Sequence, residues 1–165
     1  LIIPKTHQLS MRNVYGRSLF ADLVESVLLA LVHRYGPLIA FEHGANKEGS
    51  ITACGTDHAH IHLVPLGESL LLELQDSGLR WIQCHASEIA SVSGRHEYLF
   101  YSELDAKGVW QDPVGYLHIL ETQISQFFRR LIAKRRGKVE VSDYRRFPHL
   151  NAAMQTRRVL ARSVA

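Results

Sequence analysis

Long apolar runs are missing from this chain: no stretch reaches the roughly 18 residues of a membrane-spanning helix, and no signal peptide is visible. Cysteine is scarce. Cys54 and Cys84 show no CxxC or His–Cys spacing of a zinc knuckle, which favours two reduced thiols in a cytoplasmic protein. An excess of one charge is also lacking. The balance is +3 with histidines neutral, too small to argue for a nucleic-acid partner. Repeats and low-complexity linkers do not occur. What remains, with 165 residues of which 46% are hydrophobic and 21% charged, reads as one soluble globular domain able to bury a core.

Histidine is abundant, ten in all, and three of the ten form a pattern. They fall at i, i+2 and i+4 in His58-Ala59-His60-Ile61-His62, which continues into Leu63-Val64-Pro65. Alternation of this kind predicts a strand that sends Ala59, Ile61 and Leu63 to a core and lines the other face with three imidazoles. Such a row can bind a metal or do chemistry directly. Neighbouring members, about 7 Å apart at Cα, can share an ion, but the outer pair is roughly 13 Å apart. A third ligand such as His7, His43 or a carboxylate would be needed, and no recognisable spacing supplies one. A metal is possible here but unsupported. As a nucleophile, a neutral imidazole in mid-row can attack phosphorus, with its other ring nitrogen fixed by a hydrogen bond and its neighbours meeting phosphate charge.

Around this row the pattern predicts an α+β chain. Residues 1–4 read as a short buried strand. Residues 18–35 form a helix on Leu19, Leu23, Val27 and Leu31, with Ser18 as its N-cap and Gly36-Pro37 as its stop. Residues 38–42 are a strand and 43–56 a polar loop leading into the histidines. Residues 67–77 fit a short helix or an irregular cover, and 79–82 a short strand. Residues 98–102 are a strand by β-propensity, returning from Val109-Trp110 after a turn at 105–108. Residues 123–136 read as a basic helix ended by Gly137, 139–141 as an extended piece and 150–162 as a final helix. Trp81, Trp110, Tyr98 and Phe100 are expected in the core. His33, His85, His96, His118 and His149 have no supporting pattern.

The segment His58-Ala59-His60-Ile61-His62-Leu63-Val64 resembles the histidine-triad (HIT) motif, His-φ-His-φ-His-φ-φ, at every position. Leu1-Ile2-Ile3-Pro4-Lys5-Thr6-His7 is similar to that family's apolar strand followed by Pro-Lys-x-His. Phe41-Glu42-His43-Gly44 and Cys54-Gly55-Thr56-Asp57 resemble the approach to the triad in bacterial diadenosine-polyphosphate-hydrolase-like members, and residues 126–133 with 143–148 a C-terminal extension of some of them. The resemblance implies one HIT-like domain over residues 1–165, with an extension from 120 onward. It also implies an antiparallel sheet and a homodimer. The activity implied is cleavage at the α-phosphate of a dinucleoside polyphosphate or AMP-X compound, or transfer of its nucleotidyl group to another acceptor, with no obligatory metal. By position His60 is the nucleophile and His58 and His62 assist. His7, Gly55, Thr56 and His43 meet phosphate or leaving group. The chain departs from the family in having Ala53-Cys54-Gly55-Thr56 in place of Gly-Gln-Ser/Thr. The family's N-terminal portion would precede Leu1, so recognition of base and ribose is not assigned. Arg129, Arg130, Lys134, Arg135 and Arg136 are read as a solvated basic face, and Arg145 and Arg146 as better placed for phosphate.

Overall fold

The computed structural model describes residues 1–50, 57–105, 107–143 and 146–163. It is an α+β protein in which five strands form one antiparallel sheet. They are β1 (Leu38–Gly44), β2 (His62–Pro65), β3 (Ile82–His85), β4 (Tyr98–Glu103) and β5 (Val114–Ile119), in the order β2-β1-β4-β5-β3. The chain divides into two compact units, Leu1–Ser125, which holds the whole sheet, and Gln126–Ala165.

The one long helix of the first unit, α1, spans Ser18–Tyr35. Gly36 ends it at a positive φ of 79°, a conformation open to glycine without strain. Two expectations fail in detail. Arg17, in extended backbone, stands at the N-cap and Ser18 is already helical, with no side-chain cap. The buried stripe is Phe20, Val24, Leu28 and Leu31, whereas Leu19 is 82% and Leu23 51% exposed. The apolar arc of this helix is broad, opposite a polar side of Ser18, Asp22, Glu25, Ser26 and His33, so it holds two overlapping stripes of the same period with Leu31 in both. The aromatic one docks because Phe20 meets the Trp110 and Tyr15 rings edge-on at 5.5 and 5.6 Å. Glu25 on α1 also accepts the Trp110 backbone N–H at 2.9 Å.

That aromatic cluster lies on one face of the sheet, where Tyr15 approaches Phe100 of β4 at 5.7 Å. Gly115 of β5 is cut to fit there, since a Cβ would run into the Phe100 ring. The opposite face carries Phe41, His43, Leu99 and Tyr101, by the alternation of β1 and its register with β4. A short helix, α2 (Leu71–Gln75), lies beside it, the Leu70 N–H donating to the Tyr101 hydroxyl at 3.0 Å. Another short helix, α3 (Ile89–Ser93), precedes β4.

Several boundaries shift from the expected ones. The N-terminal strand reduces to a single bridge, Ile2 to Ile61, with Leu1 and Ile3 exposed. β1 runs two residues further than expected and takes in His43 and Gly44. β3 begins only at Ile82. β5 starts at Val114, not Val109, because Trp110 is occupied in the aromatic cluster and Asp112, at φ 44°, turns to accept from Ser87 N and Oγ at 2.7 Å each. Tyr98, Phe100 and Trp110 are buried as expected, while Trp81 is half-buried.

The second unit contains α4 (Phe127–Arg135), which starts late after Gln126 at φ 55°, and α5 (Leu150–Ser163). Gly137 closes α4 as expected, with its N–H donating to the Lys134 carbonyl at 3.0 Å. Residues expected to be extended here form a 3-10 turn, Val139–Ser142. Among the described residues, no helix is long and apolar enough to cross a membrane.

Candidate active site

The three triad histidines do not lie on one strand. Only His62 belongs to β2, Ile61 makes the isolated bridge, and His58 sits in a bend. The expected alternation survives as far as Ile61: Ala59 and Ile61 are 2% and 0% exposed, while His58, His60 and His62 are half-buried, and Leu63, expected in the core, is half-buried as well. What replaces the ladder is the N-terminal segment, which runs alongside. Ile2 and Ile61 exchange both backbone hydrogen bonds at 3.0 Å, and the Ala59 N–H donates to the Gln8 carbonyl at 2.6 Å. The apolar strand ahead of Pro-Lys-x-His thus serves as a splint for the histidine row.

These contacts fix the tautomers, because a carbonyl oxygen can only accept. His60 Nδ1 lies 3.0 Å from the His58 carbonyl, so Nδ1 carries the proton and, in the neutral ring, Nε2 holds the lone pair. His58 Nε2 donates to the Pro4 carbonyl at 2.7 Å, and His7 Nε2 to the Asp57 carbonyl at 2.6 Å. The His7 and His58 rings meet edge-on at 5.4 Å. His58 therefore acts on its neighbour through its backbone, while its ring is anchored to the N-terminal segment. His62 stands 5.0 Å from His60 and lies flat against Phe41, at 4.4 Å and 13° between planes. The apolar ring behind His62 holds its plane.

The four residues Phe41-Glu42-His43-Gly44 now have separate jobs, three of which the sequence did not disclose. Phe41 backs His62. Glu42 points to the opposite face and is fully buried, accepting from Met11 N–H at 2.6 Å, Tyr15 hydroxyl at 2.7 Å and Tyr98 hydroxyl at 2.6 Å. Burial raises its pKa, against which those hydrogen bonds and the Arg12 charge work. Burial, and after it Glu42, also pushes both phenols far up, so they remain donors. Gly44 is needed because a Cβ would enter the Tyr98 ring. Arg12 locks the same corner, donating to the carbonyls of His96 at 2.9 Å and of Gly94, and lying 5.0 Å over the Tyr98 ring.

His43 shares the face of Phe41, and carrying the β1–β2 register on by two residues sets it across from His60. It is 9% exposed, and among the described residues neither ring nitrogen has a hydrogen-bond partner. Burial, and then the neighbouring His60, lowers its pKa to about 4, so it is neutral at physiological pH. A buried imidazole in this state is uncommon in a folded protein.

His60, His62, His43, His58 and His7 are thus brought to one side of the sheet. Gly55 and Thr56, expected to hold phosphate oxygens, lie outside the described residues, as do Cys54 and Arg145. Arg146 is exposed in the second unit, as are Arg130, Lys134, Arg135 and Arg136. Among the described residues, no three His, Cys, Asp or Glu side chains are grouped as a metal set. Comparisons with protein-family models, with curated proteins and with solved structures found no match to this chain.

Proposed function

We propose that the chain is a HIT-type nucleotide phosphohydrolase with His60 as its nucleophile. The observation that carries this reading is the His60 Nδ1 hydrogen bond to the His58 carbonyl, which leaves Nε2 as the free lone pair. In the reaction, Nε2 attacks the α-phosphorus and an N–P bond forms. The bond from phosphorus to the leaving group breaks, and the leaving group departs with the electron pair. Water then attacks phosphorus, the N–P bond breaks back onto Nε2, and a nucleoside monophosphate is released. His62, held against Phe41, and the neutral His43 flank the reacting phosphate. The substrate class is a dinucleoside polyphosphate or another AMP-X compound, and the HIT-like fold and a homodimer belong to the same reading.

The test is mass spectrometry of the protein after brief mixing with diadenosine triphosphate or adenosine 5′-phosphoramidate. An adduct of one adenylyl group, absent from His60→Ala and followed by AMP release in wild type, is the expected result. Turnover retained in His60→Ala would overturn the mechanism. With phosphate added, ADP in place of AMP would assign the enzyme as a transferase with the same intermediate.

A further inference from the structure

The chain's small net charge of +3 conceals a division. In the second unit, Gln126–Ala165, eleven lysines and arginines stand against two acidic residues, a net of +9. Leu1–Ser125 accordingly carries −6, and the proposed chemistry uses none of the cations beyond Ser125. The last element of the second unit, α5 (Leu150–Ser163), is set apart by its packing as well. Among its described side chains none is buried. Leu150 is 66% and Met154 51% exposed, one helical turn apart, and the same stripe runs on to Arg157 and Arg158, seven and eight residues after Leu150 and also exposed. Phe147, in the segment before the helix, is exposed too. Helices of this length are marginal in water and draw their stability from a packed apolar face, yet Leu150 and Met154 face solvent.

What covers such a stripe has to be anionic and apolar at once. A second copy of the unit brings +9 against +9 and is repelled. A nucleic-acid strand meets arginines with its phosphates but offers aliphatic side chains no apolar layer. The surface of an anionic bilayer supplies both, phosphates at headgroup level and acyl chains directly beneath them. Arginine suits that boundary, because its stem lies along apolar groups while its guanidinium reaches the phosphates. The 14 residues of α5 span about 21 Å, short of the roughly 30 Å of a hydrocarbon core, so the helix fits along such a surface and not across it. We infer that α5 is a membrane-surface helix, lying on an anionic bilayer with Leu150 and Met154 at the edge of the acyl layer and Arg157 and Arg158 on lipid phosphates. The remaining positive charge of the unit adds attraction from a distance. The inference is independent of the His60 chemistry, which it places beside a membrane.

The experiment is co-sedimentation of the full chain with vesicles of phosphatidylcholine alone and of phosphatidylcholine mixed with phosphatidylglycerol. Binding to the mixed vesicles only is expected, and its loss as salt rises from about 0.1 M to 1 M, where the screening length falls from about 10 Å to 3 Å. Each cation at an anionic surface is worth about fivefold in affinity, so Arg157→Gln with Arg158→Gln should weaken binding roughly twentyfold. Leu150→Ser with Met154→Ser leaves every charge in place and should still weaken it about tenfold. All four side chains are exposed, and circular dichroism checks that both variants keep the wild-type fold. Failure of wild type to pellet with the mixed vesicles would overturn the inference, as would unchanged binding by the Leu150 and Met154 variant. A single-stranded oligonucleotide that displaces the vesicles and binds wild type and that variant equally would also overturn it, in favour of a nucleic-acid surface.

Discussion

Glu42 and His43 are consecutive residues of β1, both buried and both polar, and they face opposite sides of the sheet. Glu42 has three donors within 2.7 Å, while His43 has no hydrogen-bond partner at either nitrogen among the described residues. The fold has solved one burial problem and left the next one open. Polar groups buried for the sake of structure come with their partners, because an unmet donor or acceptor costs about 1–3 kcal/mol. The two faces thus differ: the Glu42 side is satisfied by the protein's own groups, and it is on the His43 side that the proposed function places the substrate.

Substitutions on the two faces should separate accordingly. On the imidazole face, His60→Ala is expected to lower turnover on the order of 10⁴-fold or more, as loss of a nucleophile does, with its urea midpoint nearly that of wild type. On the other face, Glu42→Ala strips the acceptor from three buried donors, and a loss of about 3 kcal/mol or more in urea unfolding is expected. Glu42→Gln keeps one acceptor oxygen and should lose less. If the Glu42 variants were as stable as wild type, the finished character of that face would be refuted. Gly44→Ala pushes a Cβ against the Tyr98 ring and should cost about 2 kcal/mol. Here too the effect is one of stability, with activity per folded molecule retained.

Why the sequence disclosed one face better than the other follows from these same residues. The histidine row is local, five residues with period two, and burial of Ala59 and Ile61 alone preserves it even where the ladder stops. Helix α1 was legible in its span and its stop at Gly36, but not in its N-cap or its orientation, since which apolar stripe docks depends on Trp110, 75 or more positions away. Glu42 reads in sequence as an ordinary charged residue of a strand, and its donors come from positions 11, 15 and 98. The early start predicted for the last strand failed for a like reason, because Trp110 has strand propensity but packs elsewhere. Local pattern found the histidine row. The long-range contacts that hold the row in place had no local signal.

The finest test of the comparison is the pH dependence of stability with and without His43. Its pKa falls from 6.5 to about 4 on folding, so between those values the unfolded chain binds a proton that the folded chain refuses. The protein should lose stability as pH drops through this window, by about 1.4 kcal/mol at pH 5.5 from this group. Above the unfolded pKa the contribution vanishes. His43→Leu removes both the titration and the unmet nitrogens, so the variant should be about 1 kcal/mol more stable than wild type at pH 7.5. Its advantage should widen as the pH is lowered to 5.5. Urea midpoints at the two pH values measure both effects, and turnover at pH 7.5 should fall although the protein is more stable. A His43→Leu variant that is less stable at both pH values would show that His43 is a satisfied part of the core, and Glu42 and His43 would then no longer differ in kind.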